Sequence, residues 1–272
     1  MTSLLRTEWL KMRKYKAFWW IISITIISYP AINYMFYNIF LEITKDDAKY
    51  GQLLKMALGN PFSFPESWHT AAYFSSWFVF IPAVVVVMLI SNEYTYRTHR
   101  QNIIDGWSRS QFITSKMFDV LIISLIITLL YAVTAFISGT LNQERLITHT
   151  WDQAYYIGLF ALQTFAQLSI AFLLGFLIRK SFLVLGIFFF YFLAENFTVL
   201  YLRNEVETPI ADYLPFEISD RMIPPPAFLS RFDSEKYQRA IDGIGKHVVL
   251  TIILTAIIWF ICYRINKRRD LK

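Results

Sequence analysis

The stretch SNEYTYRTHRQNIIDGWSRSQF, Ser91 to Phe112, lies between two long apolar runs, Ala71–Ile90 and Val120–Thr140, and crowds arginines and hydrogen-bonding groups into the gap. Charged groups are costly at bilayer depth, so this stretch belongs in water and its flanks do not. Working outward from it, apolar runs of about 20 residues, enough to cross a hydrocarbon core of roughly 30 Å, fall at Ala17–Tyr37, Ala71–Ile90, Val120–Thr140, Ala154–Ile178, Phe182–Leu202 and Ile244–Tyr263. The 272-residue chain is 56% hydrophobic and only 17% charged, with a mean hydropathy of +0.41, which is the composition of a membrane protein. The sequence therefore predicts an all-α integral membrane protein. It has six transmembrane helices in a single domain, residues 1–272, and its first span is too long for a cleaved signal peptide.

Lys and Arg near span ends resist translocation, so their distribution predicts orientation. With an even number of spans both termini share one side. Placing them in the cytoplasm puts Arg6, Lys11, Arg13, Lys14 and Lys16, then Arg97, Arg100, Arg109 and Lys116, then Arg179 and Lys180, then Arg264, Lys267, Arg268, Arg269 and Lys272 inside, against Glu8, Glu93, Asp105, Asp119 and Asp270. The formal charge then divides as +11 inside and −5 outside, which accounts for the +6 of the whole chain. The basic balance is thus a membrane signature, and no nucleic-acid partner is expected. The localisation expected is multi-pass in the plasma (inner) membrane, with N- and C-termini cytoplasmic.

Outside the spans, Leu53, Leu54, Met56 and Ala57 suit a short interfacial helix that Gly59 stops. The outer loop, residues 203–243, carries Tyr213, Leu214, Phe216, Ile218 and Ile223, then Pro224–Pro226, and a helix starting at Ser234. Its apolar spacing fits either a segment half-buried at the bilayer surface or a folded loop that caps the bundle.

Within the opening stretch, Ser91 or Asn92 can cap a helix start, and Ile103, Ile104 and Trp107 form an apolar edge. Gly106 is placed to end the helix, and Ser108 with Gln111 makes a capping box for the next one. The pattern is helix, stop, cap, helix. A short helix across the mouth of two spans suits a surface that docks into another protein's groove; it equally suits an elbow lying in the lipid headgroups.

The residues NEYTYRTHRQNIIDGWSRSQFITSK resemble the intracellular loop of the type-2 permeases of ATP-binding-cassette (ABC) transporters. The matching positions are Glu93, Tyr94, Thr98, Arg100, Ile103, Ile104, Ser108 and Arg109. Thr7–Trp20 is similar to that family's amphipathic entry helix and Tyr263–Leu271 to its basic tail, so the resemblance covers essentially the whole chain. One position departs: the family usually has glycine before the threonine, where this chain has Arg97. The resemblance implies the permease of an exporter, with a cytoplasmic coupling helix between spans 2 and 3. Glu93, Tyr94, Arg97, Thr98, Arg100, Ile103, Ile104 and Trp107 would face a separate cytoplasmic ABC ATPase subunit, expected in two copies. It also implies a second permease subunit in a homo- or heterodimer, with ATP and Mg bound by the ATPase and no cofactor in this chain.

The chain's own motifs agree that energy must come from elsewhere. No phosphate-binding loop occurs; its nearest echo, Gly243-Ile244-Gly245-Lys246-His247, has Ala240 in place of the first glycine and His247 in place of the hydroxyl. The segments outside the membrane are too short for a soluble catalytic domain. His69, His99, His149 and His247 are scattered, and neither a metalloprotease motif nor an intramembrane serine or aspartyl protease arrangement is visible. Two alternatives stand beside the permease: a non-transporting scaffold or sensor that recruits cytoplasmic proteins, and an intramembrane enzyme. Polar residues inside spans are costly unless partnered or on a water path. Glu195, Asn196, Gln163, Gln167 and Asn33 are therefore candidates for a translocation path, or for hydrogen bonds that hold helices together. Pro30 and Pro82 mark possible kinks. Trp19, Trp20, Trp68, Trp77, Trp107 and Trp151 are expected in the aromatic belt.

Overall fold

The computed structural model describes residues 2–45, 59–143, 149–206, 208–230 and 234–268, so the helix expected at Leu53–Ala57 and the last residues of the basic tail lie outside the described residues. It is 83% helical with no strands among those residues. The long helices are α2 (Lys16–Ile43), α6 (Arg109–Leu141), α7 (Tyr155–Ile178), α8 (Ser181–Asn204) and α11 (Ser234–Arg268), and each is apolar enough to cross a membrane. A sixth crossing comes from α3 (Ser67–Ser76) and α4 (Phe80–Thr95) taken together, which meet at a 51° bend.

That bend falls beside Pro82, one of the two residues expected to mark a kink, and it lengthens the span expected at 71–90; its cause is local. Pro82 has no N–H to offer the carbonyl of Phe78, and that carbonyl instead accepts from Ile81 N at 3.0 Å in a tighter turn. Pro82 then sits in the first turn of α4, where the missing donor costs nothing. By contrast, α2 runs through Pro30 without a break.

Two further helices extend beyond their apolar runs. The third span begins at Arg109, well before its apolar run, because Ser108 Oγ accepts from Gln111 N at 3.1 Å while the Gln111 side chain accepts from Ser108 N at 2.8 Å. The capping box, not the hydropathy, sets the start. At 33 residues α6 is about 50 Å long, so its first turns stand clear of the hydrocarbon core. Likewise the helix starting at Ser234 and the sixth span are one continuous helix of 35 residues, α11.

The bundle is built around α7. Over its most apolar window 56% is buried, against 22% for α8 at the edge. Gly175 lets α7 approach α4: a Cβ there would lie 2.5 Å from Ile90 Cγ2. Phe160, Phe172 and Phe176 on α7 pack with Tyr29, Tyr131, Val87 and Trp259 in the main core, and Trp259 Nε1 donates to Ser169 Oγ at 3.0 Å. Trp68, expected in the aromatic belt, is instead buried at 2% exposure, donating to Thr150 O and stacked on Trp151. Trp19, Trp20, Trp77 and Trp151 are exposed.

Candidate coupling site and the opposite cap

At one end of the bundle, α4 stops at Thr95 and the short helix α5 (Thr98–Ile104) turns away from it. The corner is made by Arg97, whose backbone is left-handed (φ 56°). This is the position where the resembling family usually has glycine, and the conformation explains why: it costs an L-residue about 1–2 kcal/mol and glycine almost nothing. Gly106 (φ 97°) closes α5 as anticipated, with Trp107 N donating to Asn102 O and Gly106 N to Ile103 O. Ser91 and Asn92, considered as caps, lie inside α4.

What holds the corner is ionic. Glu93 on α4 is buried, and its Oε1 accepts from Lys116 Nζ on α6 at 2.8 Å and from Lys11 Nζ on α1 (Thr2–Lys14) at 3.1 Å. Glu93 Oε2 accepts from Thr98 Oγ1 at 2.5 Å, and its backbone carbonyl accepts from His99 Nδ1 at 3.0 Å, so one residue fixes both the side and the first turn of α5. Lys116 also pairs with Glu8 on α1 and with Asp119 at 3.3 Å, and Lys11 lies 5.8 Å from the Trp107 ring. Three carboxylates share two ammonium groups, and Glu8, Glu93, Lys116 and Asp119 are each 2–5% exposed. Ions taken out of water this completely persist only when paired, and Glu8 and Glu93 each meet both ammonium groups while Asp119 pairs with Lys116. At the same end Arg109 donates to Lys267 O at 2.9 Å and accepts at its carbonyl from Asn266 Nδ2 at 2.7 Å, which ties the start of α6 to the end of α11.

The expected coupling residues therefore divide. Of them only Arg97 and Ile104 are exposed, on a face they share with Tyr96, Gln101 and Asp105, which the sequence did not point to; Tyr96 is 73% and Ile104 77% exposed, while Glu93 is buried. Tyr94, Thr98, Arg100, Ile103 and Trp107 are half-buried, and the Arg179 guanidinium lies 4.4 Å from the Tyr94 ring. Sequence reading did not single out Glu8, Lys116 or Asp119. The available signal was a Lys and an Asp three apart at the mouth of a span, which entered only the count of cytoplasmic charges.

The polar residues of the spans gather at the other end, around a cap formed by residues 208–230. Here α9 (Pro215–Asp220) tucks among α7, α8 and α11. Glu195 is buried and accepts at Oε1 from Phe216 N (2.6 Å) and Glu217 N (2.9 Å). Gln163 and Gln167 both donate to Asp220 Oδ1, at 2.7 and 2.6 Å, and Gln167 reaches Ser219 Oγ at 3.1 Å. Pro224 O is 2.7 Å from His69 Nε2, and Phe228 on α10 (Ala227–Ser230) packs with Phe40, Phe62 and Phe74. Arg203 and Arg221 bind Glu217 and Asp212 over the top. The region expected as an outer loop is thus a folded cap. Asn33 stands apart, donating to Tyr29 O at 2.8 Å, and Asn196 is exposed, donating to Phe192 O.

A multi-pass helical membrane protein with a bent span, a short helix beyond it and a capped opposite end is the class these features define. The sequence profile of the ABC-2 family transporter proteins matches residues 4–195, and the chain belongs to that family. No curated protein matches the chain.

Proposed function

We propose that this chain is the membrane-spanning permease subunit of an ABC exporter. A separate cytoplasmic ATPase, holding ATP and Mg, drives it by pressing on α5. A membrane protein of this transporter family with no phosphate-binding loop of its own draws its energy through contact with a partner, and the contact needs a surface that is exposed yet rigidly joined to the spans. The observation that carries the reading is that pairing: the exposed face of Tyr96, Arg97 and Ile104 begins at a corner that Glu93 bolts to α1 and α6. Force on α5 would reach three helices together. The basic residues of this end support its cytoplasmic placement, and two copies of chain and ATPase complete the assembly proposed.

The test is retention of the ATPase. With both proteins coexpressed, Ile104→Asp combined with Tyr96→Asp is expected to cut copurification at least about tenfold, because one buried charge at an apolar contact costs over 1.4 kcal/mol. Membrane insertion should be unchanged, since both side chains are exposed. Undiminished copurification would refute α5 as the docking face.

A further inference from the structure

We propose that Asp220 is a proton-operated latch: with its carboxyl protonated the cap of residues 208–230 is held on the bundle, and with the carboxyl ionised the cap is released. This inference stands independently of the ATPase contact, which lies at the opposite end.

The geometry carries it in three parts. First, Asp220 is the hub of the polar contacts between the cap and α7, taking both Gln163 and Gln167 on a single oxygen. Second, carboxylates crowd it. Glu217 of its own helix and Glu195 of α8 lie close enough to repel its charge, and from α3 Tyr73 lies within reach of that charge while His69 holds Pro224 O of the cap. The cations beside the segment are otherwise engaged, Arg203 and Arg221 being paired with Glu217 and Asp212 and Lys246 with the Tyr213 hydroxyl. From α11, His247 and Lys246 stand by Arg221 and Asp212. Third, Gln163 is 0% exposed and its Oε1 has no donor among the described residues. A half-turn of that amide exchanges donor for acceptor and gives the acid proton of Asp220 a partner, while Gln167 continues to donate.

The electrostatic balance agrees in sign. Burial above all, then Glu217, lifts the Asp220 carboxyl from an ordinary 3.8 to about 7, against the opposing pull of the two glutamine amides. Asp220 is half-buried in the closed cap, and a released cap exposes it fully and returns it toward its ordinary value. The proton is therefore held more tightly when the cap is closed, so closure is firmest in acid and weakens as pH rises through about 7.

The experiment is hydrogen exchange at residues 208–226 of the full-length chain in lipid nanodiscs, wild type against Asp220→Asn at each pH, so that intrinsic exchange rates and the titration of His247 cancel. The ratio of wild-type to Asp220→Asn exchange is expected to rise on the order of a hundredfold from about pH 5 to about pH 8, because the neutral amide cannot ionise. A flat ratio over that range overturns the latch. Gln163→Met supplies a second arm: losing the acceptor should raise exchange at about pH 5 toward the level at about pH 8, and an unchanged profile in this variant also overturns it.

Discussion

Lys116 decides the stability of the corner between α4 and α5. It is the only cation shared by Glu8, Glu93 and Asp119 in the buried network of described residues, with Lys11 half outside it. Lys116→Met leaves these carboxylates buried and underpaired, an error that costs about 3–5 kcal/mol. A fall in the thermal midpoint of the detergent-solubilised protein should follow, and adding Asp119→Asn should recover part of it. Arg97 predicts the opposite sign. Replacing it with glycine removes about 1–2 kcal/mol of left-handed strain, and glycine's greater freedom in the unfolded chain takes back about half. Arg97→Gly is thus expected to raise stability by about 0.5–1 kcal/mol, and a lower midpoint would show that the guanidinium contributes more than the backbone does.

At the scale of elements, the contact between α4 and α7 depends on the absence of a side chain at Gly175. Alanine there would place a carbon 2.5 Å from Ile90 Cγ2, so the helices must separate or Ile90 must move. Overpacking of this kind costs about 1–3 kcal/mol. Gly175→Ala should lower the midpoint, and Ile90→Ala in the same chain should partly restore it; additive losses would place the strain elsewhere. The same close contact makes α7 the axis to which both ends of the molecule refer. Its neighbour α4 carries Glu93, and α7 itself carries the glutamines that grip the cap.

For the whole molecule, the arrangement separates two tasks by the length of the bundle. One end is ionic and rigid, with an exposed helix beside it; the other is a folded cap held by amides, a histidine and aromatic rings. Under the proposed function, movement of α5 is transmitted along α4 and α6, and the cap governs the far mouth. Cysteine pairs between α5 and the ATPase, one at Gln101, are expected to crosslink in the coexpressed complex and to stop ATP turnover on oxidation, while turnover returns on reduction.

Composition and run length alone determined that the chain is helical and lies in a membrane, because crossing a hydrocarbon core demands long apolar segments whose backbone groups bond within the helix. The same local logic found the Ser108–Gln111 cap and the Gly106 stop, since both are settled within a few residues. Only the tertiary structure decided where the charges go. Glu8, Glu93, Lys116 and Asp119 are distributed over three helices, and Asp220 meets Gln163 and Gln167 across more than fifty residues of chain. No spacing along a sequence encodes such meetings. They exist because packing around α7 brings the helices together, and burial then leaves each charge no partner but another buried group.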